Sequence, residues 1–182
     1  YEKGLIQEIG LSNTGPKRLH FLYQKLKERG IKINSIQMQL SLLTRPTLED
    51  EKIKNICIEN NIEYLAYSPL ALGALTIAPN KYPKPGTFLR QKLFQNILPK
   101  TMELRTLLTN IGEKYSASQA QVALNWVRSH GAKPLVGLRN PLQAKDAISA
   151  LSWSLTKREK EKLDFYRKNC LASMPQNPFT SP

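Results

Sequence analysis

Four times along this chain a short apolar run gives way to a longer segment with apolar residues at helical spacing. Residues 5–11 (L-I-Q-E-I-G-L) predict a strand ending in the polar turn Ser12-Asn13. Pro16 suits the first turn of a helix reaching about Arg29, with Gly30 as its stop and Leu19, Leu22 and Leu26 as its stripe. Residues 36–42 alternate strictly, with Ile36, Met38, Leu40 and Leu42 on one face and Gln37, Gln39 and Ser41 on the other. Thr47 and Asp50 have capping-box spacing and open a helix that buries Ile53, Ile56 and Cys57. The third strand, I-E-Y-L-A-Y at 62–67, stops at Ser68-Pro69. K-P-L-V-G-L at 133–138 predicts the fourth.

Between the third and fourth strands the pattern loosens. Residues 76–93 are rich in Pro, Lys and Gly and predict one long irregular segment, of the kind that is often functional. A helix over 101–115 follows, and Ser116 with Gln119 has capping-box spacing for the next, which carries Ala120, Ala123, Leu124 and Val127 and ends at Gly131. Asn140-Pro141 opens a helix to about Leu151, and Thr156 with Glu159 caps a last one to about Asn169. The tail at 173–182 holds three prolines and predicts an extended segment.

Strand and helix in alternation imply an α/β fold with a parallel, helix-covered sheet. A complete (β/α)8 barrel has eight such units in about 250 residues. Four units in 182 residues fit half of one, read as a single domain over 1–182. Half a barrel leaves strand edges unpaired, so a partner half is expected. Tyr1 rather than Met at the start agrees with a chain that begins inside a longer protein.

Composition narrows the function classes. The chain is 41% hydrophobic, which is globular composition, and no apolar run reaches the roughly 20 residues that span a bilayer. Two cysteines, Cys57 and Cys170, fit a reducing compartment, cytoplasm or plastid stroma, and have no metal-ligand spacing. The net charge of +13 suggests an anionic partner. Its lysines and arginines are spread along helices and loops without interleaved aromatics, which argues for a solvated surface over a nucleic-acid face.

The strand ends carry the chemistry. They present Ser12-Asn13, Gln37 with Gln39, Tyr67-Ser68 and Arg139-Asn140, and in a parallel barrel such ends converge on one face. Each has a plain structural reading: a turn cap for Asn13, barrel filling for Gln37, a core aromatic for Tyr67, a loop charge for Arg139. Their joint placement favours a site for a large ligand with an amide and phosphates.

These stretches carry a resemblance. G-L-S-N at 10–13, I-Q-M-Q-L-S-L-L at 36–43, L-A-Y-S-P-L at 65–70, A-S-Q-A-Q-V-A-L-N-W at 117–126 and P-L-V-G-L-R-N at 134–140 resemble the C-terminal half of the aldo-keto reductases. The likeness is to the plant-plastid and cyanobacterial, pyridoxal reductase-like type, and S-M-P-Q-N-P-F at 173–179 shares it. The resemblance implies the C-terminal half of a (β/α)8 TIM barrel that binds NADPH and transfers its 4-pro-R hydride to a small aldehyde or ketone. By that resemblance Ser12, Asn13 and Gln37 hydrogen-bond the nicotinamide carboxamide, and Tyr67 stacks on its ring. Ser68, Leu70 and the backbone near Gly73 line the diphosphate site, Arg139 meets the 2′-phosphate, and Gln143 and Asp146 face the adenine. A guanidinium grips phosphate bidentately, so Arg139 favours NADPH over NADH.

Two departures stand out. Ala147 replaces an Asn that many members carry, and the family's L-T-G-K-Y becomes L-T-I-A-P-N-K-Y at 75–82. The family's catalytic Asp, Tyr, Lys and His have no counterpart here. His20 and His130 fall on helices, so no catalytic residue is expected in this chain, which would be inactive alone. A non-catalytic NADP-binding module, like the barrel-type β subunits of potassium channels, is the alternative on the same scaffold. A basic nucleic-acid-binding domain is the remaining one.

Overall fold

The computed structural model describes residues 1–175 and joins the four strands into one parallel sheet. β1 (Ile9–Ser12), β2 (Ile33–Gln39), β3 (Glu63–Tyr67) and β4 (Lys133–Pro134) lie in sequence order. The helices are α1 (Pro16–Lys27), α2 (Leu48–Glu59), α3 (Phe88–Ile97), α4 (Met102–Lys114), α5 (Gln119–Ser129), α6 (Pro141–Ser149) and α7 (Lys157–Asn169). The strand-helix alternation thus yields the α/β fold that it predicts.

Register sorts the side chains. Ser12 pairs with Gln37, Gln37 with Leu65, Leu65 with Lys133, and Gln39 with Tyr67. Paired residues project to the same side of a sheet. Alternate residues Ile36, Tyr64 and Ala66 face the other way, into a core shared with Leu19, Ile53, Cys57, Trp126, Val127 and Leu163 from the helices. One face is therefore packed. The other carries Ser35, Gln37, Gln39, Glu63, Leu65, Tyr67 and Lys133, all exposed or half-buried, with Glu63 and Lys133 ion-paired across β3 and β4.

Several expected boundaries move. The first strand begins at Ile9, because Leu5 and Ile6 find no partner and stay in solvent. The second starts earlier and ends at Gln39, so Leu40 and Leu42 are buried beyond the ladder. The fourth has only two paired residues, and beyond them a single bond from Leu135 N–H to the Ala66 carbonyl continues it. The expected irregular segment at 76–93 gives way to α3 from Phe88, whose Phe94 and Ile97 reach the core. Ser116 is not the cap of α5: it takes φ 50° in the preceding turn, and Ser118 caps by accepting from Gln121 N–H. The capping boxes at Thr47–Asp50 and Thr156–Glu159 form as expected. Residues 176–182 of the expected extended tail lie outside the described residues; just before them, Met174 is buried and its N–H donates to the Leu43 carbonyl.

The segment between β3 and α3 is shaped by a buried cation. Arg105 on α4 is fully buried. Its Nη1 donates to the Ala78 carbonyl at 2.7 Å, with longer contacts to those of Ile77 and Lys81, and Nη2 donates to Leu98 at 2.8 Å. Burial pulls the guanidinium below its ordinary pKa, with Tyr82 acting the other way. Replacing it leaves those carbonyls without donors. Arg105→Leu should lower stability by about 2–4 kcal/mol, read as a fall in the denaturant midpoint.

Glu159 anchors α7 in the same spirit. It is buried, yet accepts from Lys114 Nζ, Tyr115 Oη, Thr156 N and Thr156 Oγ1. Burial alone would raise its carboxyl pKa; the four hydrogen bonds outweigh it and bring it to about 2. A carboxylate depressed in the folded state stabilises above its unfolded pKa and loses that contribution as pH falls toward the folded one. Stability should therefore decline from about pH 4.5 down to about 2, and Glu159→Gln should flatten that part of the pH–stability curve.

Candidate functional site

The C-terminal ends of β2, β3 and β4 open into a cleft of about 1140 Å³. Gln39, the turn from Tyr67 to Gly73, the start of α3, the segment 135–139 and one side of α6 form its walls. Seven of the ten residues expected from the sequence line it: Tyr67, Ser68, Leu70, Gly73, Arg139, Gln143 and Asp146.

The backbone leaving β3 is bent hard. Ser68, Ala71 and Leu72 have φ of 53°, 50° and 55°, and Gly73 has 91°. Left-handed backbone at non-glycine residues costs about 1–2 kcal/mol each, and such strain gathers at functional sites. Closing bonds hold the turn, from Ala71 N–H to the Ser68 carbonyl and from Gly73 N–H to that of Leu70.

The other three expected residues are outside its lining: Ser12 ends β1, Asn13 follows it, and Gln37 lies on β2. Tyr67 Oη donates to Asn13 Oδ1 at 2.9 Å, Asn13 Nδ2 donates to Ser12 Oγ, and Asn13 N–H donates to the Gln37 carbonyl. Asn13 takes φ 51°, a left-handed turn that Asn tolerates. Ser12, Asn13, Gln37 and Tyr67 thus form one linked group at the strand ends.

On the opposite side the groups are more committed. Gln143 Oε1 accepts the Arg139 N–H, and Asn140 Oδ1 caps α6 through Gln143 N–H. Both Asp146 oxygens are occupied, by Ser118 Oγ and by Gln121 Nε2, each at 2.7 Å. Asp146 therefore fastens α6 to α5 while its flank faces the cleft.

Other groups lie elsewhere. His130, at the end of α5, meets Asp164 at 2.9 Å, and burial lowers its pKa against the pull of that carboxylate. His20 is exposed on α1. Burial pushes the Cys57 thiol up to about 11, which keeps it protonated and unreactive. A smaller hollow of about 290 Å³ beside Arg45 and Lys168 includes Arg167, already committed to the Thr44 carbonyl and Asp50. Among the described residues no cluster could hold a metal ion, and no helix is long and apolar enough to cross a membrane.

Residues 1–167 match the model of the Aldo/keto reductase family. The chain belongs to that family. It is 39% identical over 181 residues to the chloroplastic pyridoxal reductase of Arabidopsis thaliana, covering 98% of this chain and 48% of that protein. It is 27% identical over 165 residues to the NADPH-dependent alpha-keto amide reductase of Saccharomyces cerevisiae, covering 90% of this chain and 45% of that one. The glycerol dehydrogenase structure from Gluconobacter oxydans superposes over the whole chain with a TM-score of 0.76 at 25% identity, covering 54% of its own length. The chain spans about half the length of the curated relatives that it matches.

Gln39, presented with Gln37 at the end of β2, lines the cleft of this aldo/keto reductase chain, as do Arg90 and Met174, which the sequence pattern does not single out. Gln39 shares its face with Gln37, so alternation already contained the signal. Arg90 follows the prolines and glycine of 79–86, whose composition predicts a loop there. At Gly73, Ala would have to take φ 91°, and should cost about 1–2 kcal/mol of stability, measured by chemical denaturation. An unchanged midpoint would show that position 73 does not depend on the freedom of glycine.

Proposed function

We propose that this chain is the C-terminal, cofactor-holding half of a (β/α)8 barrel, one partial domain over 1–182. The whole would reduce aldehydes or ketones to alcohols with NADPH. The reading is supported chiefly by the cleft at the strand ends, where the ring of Tyr67, the strained β3 exit turn and the cation of Arg139 share one lining. Its volume exceeds the roughly 300–1,000 Å³ usual for small-molecule sites, and a dinucleotide is a large ligand.

The residues fit that cofactor in chemistry. Ser12, Asn13 and Gln37 offer hydroxyl and amide groups to the nicotinamide carboxamide. Tyr67 offers a flat ring, held at its hydroxyl by Asn13. Ser68, Leu70 and Gly73 would border the diphosphate, Arg139 the 2′-phosphate, and Gln143 and Asp146 the adenine side. When bound, the reduced nicotinamide supplies a hydride, while these side chains orient it. The yeast relative is named as NADPH-dependent and the Arabidopsis relative as chloroplastic, so NADPH and the plastid stroma are what we carry over.

The proton has to come from elsewhere. Among the described residues lining the cleft there is no lysine, and the one tyrosine, Tyr67, donates its hydroxyl proton to Asn13. We place the proton donor on a complementary half, which would close over the polar sheet face and pair with the open edges of β1 and β4. The same gap supports a second reading, an NADP-binding module without turnover.

Titrating NADPH fluorescence with the protein tests the cofactor site. Arg139→Ala should weaken NADPH about tenfold or more and leave NADH nearly unchanged. Equal effects on both would remove the 2′-phosphate contact from the reading. Carbonyl reduction by this chain alone, as a monomer that unfolds cooperatively, would overturn the half-barrel assignment.

A further inference from the structure

The smaller hollow, of about 290 Å³, lies between the β2–α2 loop at 43–46 and the end of α7 with the residues just past it. It shares no lining residue with the cleft. Three of its residues, Arg45, Arg167 and Lys168, are cations, and none is a carboxylate. Among the described residues Arg45 and Lys168 have neither an ion-pair partner nor a side-chain hydrogen bond. Like charges gathered in one concavity repel one another, a cost that an anion between them removes.

Arg167 is held in place for such a ligand. Its side chain is only 11% exposed, its Nε donates to the Thr44 carbonyl at 2.9 Å, and its guanidinium lies over the Trp126 ring at 5.3 Å. Nη2 is buried and stands 3.6 Å from Asp50 Oδ2, beyond hydrogen-bond reach. That carboxylate oxygen already accepts the Thr47 N–H in the capping box of α2. Nη1 makes no hydrogen bond among the described residues, which leaves it to a ligand in the hollow. Because Thr44, Trp126 and Asp50 already orient the guanidinium, binding costs it little further freedom.

We propose that this hollow seats a phosphate group, met by Nη1 of Arg167 from the inner wall and by Arg45 and Lys168 from the rim. A phosphate group carries close to two negative charges and three strong acceptor oxygens, which three cations match better than they match a single carboxylate. The volume lies at the lower limit of the roughly 300–1,000 Å³ usual for small-molecule sites, which suits a small anion and not a dinucleotide. The seat stands apart from the cleft and does not depend on the NADPH reading.

The test is a thermal-shift titration with inorganic phosphate, with glycerol phosphate as a monoester, and with potassium chloride at matched ionic strength. Phosphate should raise the melting temperature where chloride does not, and the monoester arm tells a free phosphate from an esterified one. Arg45→Gln with Lys168→Gln, both exposed positions, should weaken phosphate about tenfold with unchanged circular dichroism. Arg139→Ala, in the cleft, should leave the phosphate response as it was. Cys170 lines the hollow, so phosphate should also slow its alkylation by iodoacetamide in the parent protein and not in the double variant. An equal effect of chloride would reduce the response to screening of the net charge and overturn the proposal. So would a response lost only in Arg139→Ala, or phosphate binding that leaves Cys170 unprotected.

Discussion

The β3–α3 wall of the cleft depends on a cation with no carboxylate beside it. Arg105 gathers backbone carbonyls from the segment that leads into α3 and from Leu98 just past its end, so backbone dipoles do the work of a counter-ion. Loop carbonyls can be gathered this way only if something inside offers donors at several angles, and a planar guanidinium does. Its Tyr82 neighbour, 5.6 Å beneath, keeps the loop close. Through this anchoring, α3 starts where its first turn can face the strand ends. Arg105, outside the cleft lining, thereby holds α3 in place from its far end.

The sheet divides the labour further. Its packed face joins the helices and supplies stability, while its polar face carries the amides and hydroxyls. In a parallel sheet both sides are usually covered. Here the polar side is half open, and the groups that would otherwise be expensive to bury remain hydrated. The ion pair between Glu63 and Lys133 belongs to that side too.

Much of this was legible in the residues. Strict alternation around Gln37 separates the packed from the polar face, and the Thr47 and Thr156 capping patterns mark two helix starts. What periodicity misread has physical causes. Leu5 and Ile6 look like strand residues, but a strand exists only where a neighbour pairs with it, and β1 is an edge. Residues 135–138 carry strand chemistry, yet β3 turns away at Ser68, so the ladder ends one bond past Pro134, at the Leu135 N–H. Prolines and a glycine at 79–86 hid the start of α3, and with it Arg90. The cleft could be anticipated from the strand ends, whereas a wall built by tertiary anchoring to Arg105 has no local signature.

The hydrogen bond between Tyr67 and Asn13 ties side chains 54 positions apart and spans from β3 to β1. An aromatic ring on a strand end would ordinarily sample several orientations, and a ligand laid on it would have to arrest that motion at its own expense. With the hydroxyl tethered and the strands in register beneath it, the direction in which the ring points is settled beforehand. A ligand laid there would meet a ring already held in place, and the entropy of holding it was lost once, when the chain folded.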